Sequence, residues 1–273
     1  MSCPNPVRRR TLALALLALS ASFPDARAAT TNLAFANGTL TCEIVSAGEP
    51  LPGLVLSILP MAMQAALEQV GAPPGPARLT VRLQEAPPFP RRALAWFRAE
   101  ASALQQGDEI LLRAGEDPLK LAFRLGHELA HWLTQRRHPA RPPLWLDEGL
   151  AQRVGAAAAE ACARTRQQTA ERPRPPRLDR NLFTLDELVA LRTYPRSESR
   201  SAAFYWQAEA LAAALHRRLG DREFNAYLDA MASRDAPGWA IPLRERWYFT
   251  DWDFTWLAQQ IRPDAAVHSE GNR

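Results

Sequence analysis

His127-Glu128-Leu129-Ala130-His131 sets two imidazoles four residues apart, with a carboxylate beside the first. On a helix, positions i and i+4 share a face with Cβ atoms about 5–6 Å apart, so both rings reach one metal ion. Zinc suits neutral imidazole nitrogen in tetrahedral geometry. Glu128 is turned about 100° from His127 and stands beside the ion, not on it. A general base that takes a proton from water at the metal needs that position. With 5 His and 17 Glu in 273 residues, chance supplies roughly 0.006 such patterns, so the spacing is a signal.

Two ligands do not hold a catalytic zinc; a third protein ligand is needed, with one position left open. The metzincin arrangement is excluded. It requires Gly three and His six residues after His131, where this chain has Thr134 and Arg137, and His138 comes one position late. The other arrangement takes a Glu from a following helix. Trp145-Leu146-Asp147-Glu148-Gly149-Leu150-Ala151 supplies one, after a proline-rich turn at 139–143 short enough to fold that helix back.

HELAH followed by WLDEGLA resembles the gluzincin metallopeptidases, in particular the peptidase MA-like group related to the aminopeptidase N catalytic domain. The resemblance implies zinc held by His127, His131 and Glu148, with Glu128 as the catalytic base. The gap of 16 residues between His131 and Glu148 is slightly shorter than in the aminopeptidases. DEILLR at 108–113 and FYWQAEALAAALHRRLGDREF at 204–224 extend the likeness loosely over about residues 75–260. Gluzincins of this type place a Tyr from a later helix opposite the zinc to hold the oxyanion. Tyr205 is the positional match, with Tyr194 and His216 as weaker candidates. Three features depart from the family. Gln152 stands where a thermolysin-type Asp would orient a zinc histidine, leaving that partner unidentified. No GxMEN-like segment precedes the helix, which argues against an aminopeptidase and for an endopeptidase. Asp147 reads as a surface or capping residue.

The elements around these motifs read as α+β. Residues 40–45, 77–83, 93–97 and 109–113 have strand character, and 77–83 alternates strictly. Apolar residues at 54–70 recur at helical spacing, with Pro60 read as the true first turn and Gly71 as the C-cap. Residues 29–115 therefore form a small sheet with one packed helix. Asp117-Pro118 opens the helix that carries the HExxH, running to about residue 137. A second helix begins near 144. Thr184 and Glu187 form a capping box for a short helix. Helices follow at 202–219 and 222–232, split by Gly220. The stretch 244–261 is aromatic-rich and reads as packing, as do Trp132 and Trp145. The expected layout is a signal segment (1–28), an N-terminal α/β subdomain (29–115), a helical zincin-like catalytic subdomain (116–262) and a flexible tail (263–273). The active site is expected between the two subdomains.

Arg8-Arg9-Arg10, an apolar stretch at 11–23 and Ala26-Arg27-Ala28 form the three regions of an export signal. The chain is thus expected to be periplasmic or secreted, with no other membrane span. Without Arg8, Arg9, Arg10, Arg27 and Asp25 the formal charge falls from +4 to +1, which removes the support for nucleic-acid binding. Cys42 and Cys162 remain after such cleavage, and whether they pair is open. The arginine-rich stretch 165–181 reads as a surface loop. His138 and His268 read as solvated.

These features point to an exported zinc-dependent metallopeptidase acting on a peptide or protein substrate. The rival is a non-catalytic envelope protein whose zinc is structural or whose helices bind a partner. Glu128 weighs against that rival, because a structural site needs no base. Zinc-dependent hydrolysis of another amide or ester is chemically equivalent at this level.

Overall fold

Alternation along the strands sets the sheet. In β2 (Gly38–Ser46) Leu40, Cys42 and Ile44 are buried, and in β3 (Ala77–Gln84) Ala77, Leu79, Val81 and Leu83 are buried. Residues between them, such as Glu43 and Arg78, face outward, the period-two pattern of a sheet covered on one side. β1 (Ala28–Phe35), β4 (Ala103–Gln106) and β5 (Glu109–Arg113) complete it in the order β1-β2-β3-β5-β4. The β2–β3 and β3–β5 pairs are parallel and the two outer pairs antiparallel. This computed structural model describes residues 28–35, 38–46, 51–84, 103–113, 115–138, 140–168 and 181–262. Residues 1–27 of the expected signal segment 1–28, the strand expected at 93–97, most of the arginine-rich stretch 165–181 and the expected tail lie outside the described residues, whereas Ala28 is in β1. β1 and β4 carry no clear alternation in sequence and are defined by their pairing partners.

The helix α1 (Leu51–Val70) makes the crossover from β2 to β3 and covers the sheet. It corrects the reading of Pro60 as a first turn, because Pro60 lies inside the helix. Proline there removes a backbone hydrogen bond, a cost of about 3 kcal/mol. Val55, Ile58 and Leu59, upstream of Pro60, are fully buried. At about 1.5–3 kcal/mol per buried aliphatic side chain they outweigh that cost and extend the helix backward. The stretch Gly53–Val70 is also long and apolar enough to cross a membrane, contrary to the expectation of no such segment. Half of it is buried inside the fold, as in a core helix.

The helical part follows the sequence signals closely. α2 (Pro118–Arg137) starts where Asp117 accepts hydrogen bonds from the Leu119 and Lys120 amides at 2.9 and 3.3 Å. α3 (Leu144–Thr165) follows, then α4 (Leu185–Ala190), whose Thr184/Glu187 capping box is formed. α5 (Glu198–Met231) is kinked at Gly220, where φ is 77°. α6 (Ala240–Trp247) and α7 (Asp251–Gln260) carry the aromatic stretch. Trp247, Phe254 and Trp256 pack on the core, whereas Tyr248 and Trp252 are exposed. One continuous apolar cluster runs from Leu33 of β1 to Ile261, with Trp132 and Trp145 buried inside it.

Glycines let α3 come close to its neighbours. A methyl on Gly126 of α2 would lie 2.8 Å from the Ala158 Cβ, and one on Gly155 of α3 would lie 2.7 Å from the Phe123 carbonyl oxygen. A methyl on Gly149 would lie 2.2 Å from the Ala208 carbonyl oxygen of α5. Gly126 immediately precedes His127 and Gly149 immediately follows Glu148, so close helix approach flanks both residues.

Candidate metal centre

His127 and His131 occupy successive turns of α2 and bring their Nε2 atoms to 3.1 Å of each other. Glu148 enters from α3. Its Oε2 lies 3.4 Å from His127 Nε2 and its Oε1 3.7 Å from His131 Nε2. One donor atom from each residue falls within 4.8 Å of the other two. The three ligands expected from the motifs are thus brought together, as two imidazole nitrogens and a carboxylate oxygen, a donor set that fits zinc.

The environment fits a cation as well. Glu148 is 3% exposed, and its Oε2 is buried without a hydrogen-bond partner among the described residues. A buried carboxylate oxygen without a hydrogen-bond donor is costly, and a cation at this point would relieve that cost. Burial pushes the Glu148 carboxyl up, but the His131 and His127 imidazoles outweigh it and hold the group well below the carboxylate range. For His131, burial works against the charged ring; Asp147 and Glu148 outweigh it and hold the ring well above its ordinary value.

Two groups join the site that the motifs did not assign to it. Asp147, expected at the surface or in a cap, is 8% exposed, and the N-cap of α3 is Pro143 instead. Its Oδ1 lies 3.2 Å from His131 Nδ1. Consecutive helical positions diverge by about 100°, yet both reach His131, because α3 crosses α2 at the ring itself. Tyr194, between α4 and α5, donates its hydroxyl to Glu148 Oε1. Burial and then the Glu148 charge push this phenol up, so it remains a donor. The sequence offered Tyr194 only as a weaker candidate for the oxyanion donor, and its contact is instead with Glu148, 46 positions away.

Glu128 is 8% exposed on α2, next to His127 and outside the three-residue donor group. Tyr205, in α5, is half-buried, with its ring 6.3 Å from that of Tyr194 and 5.4 Å from that of Phe204. His216 belongs to a different cluster. Its Nδ1 is 3.0 Å from Arg153 and its Nε2 2.9 Å from Asp221. His138 corrects the solvated reading: its side chain is 5% exposed, with Nδ1 3.6 Å from Asp229, because the end of α2 packs against α5. His268 lies outside the described residues. Cys42 and Cys162 are both buried and unpaired. Burial, with Glu43 adding to it, pushes the Cys42 thiol up to about 12.

No family model matches the chain, and no curated protein matches it. Among solved structures it is similar to the M1 zinc metallopeptidase from Deinococcus radiodurans, at 17% identity and a TM-score of 0.48, over 86% of this chain and 52% of that one. It is also similar to a variant of a two-domain M1 zinc metallopeptidase bound to L-arginine, at 15% identity and a TM-score of 0.49, over 86% of this chain and 50% of that one. The chain spans about half the length of these neighbours.

Proposed function

We propose that this protein is an exported zinc-dependent metallopeptidase, an endopeptidase acting on peptides or proteins outside the cytoplasm. The observation that carries the reading is the His127–His131–Glu148 donor set, with half-buried imidazoles and a buried carboxylate whose Oε2 has no hydrogen-bond partner among the described residues. His127, His131 and Glu148 hold the ion. Zinc, when bound, acidifies water and polarises the scissile carbonyl. Glu128 takes the proton from the attacking water and delivers it to the leaving amine. Tyr205 donates to the oxyanion, and Tyr194 fixes the Glu148 carboxylate. The three-part export pattern at 1–28 supports the localisation.

Elemental analysis tests the reading first. The full chain is expected to carry about one zinc per molecule, lost in Glu148→Ala and in His131→Ala. A folded parent without zinc overturns the reading. Digestion of a peptide library beside an ester panel then separates peptidase from other hydrolytic activity.

The two tyrosines separate in their kinetics. Tyr205→Phe is expected to lower kcat by about 10²–10³-fold with zinc content unchanged, the loss typical of one oxyanion donor. Tyr194→Phe is expected to weaken zinc retention instead, since it removes a bond to a ligand. Equal activity of wild type and Tyr205→Phe on the cleaved peptide removes Tyr205 from the mechanism.

A further inference from the structure

We infer that Asp147 is a positioning residue for the metal centre, an inference that rests on the metal-site reading above. The His131 ring lies between two carboxylates from adjacent positions of one helix. Nδ1 faces Asp147 Oδ1 at 3.2 Å, while Nε2 faces Glu148 Oε1 at 3.7 Å. A carboxylate at Nδ1 accepts the N–H there and leaves the Nε2 lone pair for the ion, fixing both tautomer and ring orientation. α3 thus supplies a ligand and also the group that aims another ligand.

The alternative roles for Asp147 fit less well. The N-cap position of α3 belongs to Pro143, and at 8% exposure Asp147 is not a solvated residue. Its place in the first turn of α3 is favourable for a negative charge, but that requires no contact with His131. The two histidines are also held unequally. His127 Nδ1 is buried and finds no hydrogen-bond partner among the described residues, so His131 is the pre-aimed ligand of the pair.

The test uses the full chain with zinc alone as the probe, titrated in competition with a chromophoric chelator. Asp147→Ala is expected to bind zinc about 10–100-fold more weakly, the usual cost of losing such a partner. Asp147→Asn keeps an oxygen acceptor, so its affinity is expected between Asp147→Ala and wild type. The second readout is NMR of the zinc-loaded protein. A downfield, slowly exchanging His131 Nδ1–H resonance is expected in wild type and Asp147→Asn and is lost in Asp147→Ala. Wild-type affinity in Asp147→Ala, or absence of that resonance from wild type, overturns the role of Asp147 and leaves the metal site standing. A wild type that takes up no zinc overturns the metal site and this inference with it. Should Asp147→Ala fail to fold, the Asp147→Asn affinity and the wild-type resonance still decide.

Discussion

Glu128→Gln is expected to leave zinc content and fold unchanged while lowering peptide hydrolysis by about 10²–10⁴-fold, the range attributed to a positioned general base. The substitution is nearly isosteric, and Glu128 lies outside the donor group formed by His127, His131 and Glu148. The ion therefore keeps all three ligands. An amide in this position still accepts a hydrogen bond but does not take up the proton that must leave the attacking water. Glu128 is 8% exposed, so bulk water is poorly placed to replace it. The measurement is turnover of a cleaved library peptide by both proteins, with zinc determined on the same samples. Undiminished turnover in a zinc-loaded Glu128→Gln protein sinks the mechanism. Loss of zinc in that variant would instead place Glu128 among the ligands.

Gly149→Ala is expected to be among the most destabilising single-methyl changes in the chain. The added Cβ would sit 2.2 Å from the Ala208 carbonyl oxygen and 2.7 Å from its carbon. Both are backbone atoms, so no side-chain rotation relieves the clash, and α3 must move away from α5. Overpacking of this kind costs about 1–3 kcal/mol or more. For a chain of this size each kcal/mol lowers Tm by about 2–4 °C. Glu148 precedes this glycine on the same turn, so zinc retention is expected to weaken along with stability. Gly53→Ala is the control. A methyl there meets nothing within 4 Å, and in a helix it is expected to be neutral or to stabilise by about 0.4–1 kcal/mol. Thermal melts of the two variants beside wild type check both expectations. A Gly149→Ala protein as stable as wild type contradicts the close approach of α3 and α5.

The features legible in the sequence are those written within one or two turns of chain. His127 and His131 share a face because the helix period puts them there, whatever the rest of the fold does. Asp117 with Pro118 marks the start of α2, and Thr184 with Glu187 marks α4, because capping satisfies backbone amides only two or three residues away. Glu148 was reachable because the turn before it is short and the motif around it is familiar. The strict alternation of residues 77–83 likewise shows in the burial of β3.

What the sequence left open or misplaced depends on contacts between distant segments. Pro60 reads as a helix start by local preference, and only burial of Val55, Ile58 and Leu59 against the sheet carries α1 through it. Asp147 reads as surface because its angular position diverges from that of Glu148. Its contact with His131 exists because α3 crosses α2 at that ring. Tyr194 carries no periodic signal, and only the packing of the segment before α5 delivers its hydroxyl to Glu148. Cys42 in β2 and Cys162 in α3, whose pairing the sequence left open, are both buried free thiols. The candidate site is thus encoded locally as His127, Glu128 and His131 on one helix. Glu148, Asp147 and Tyr194 join them only when α3 packs against its neighbours, because short-range spacing fixes a face and tertiary contact alone fixes what that face meets.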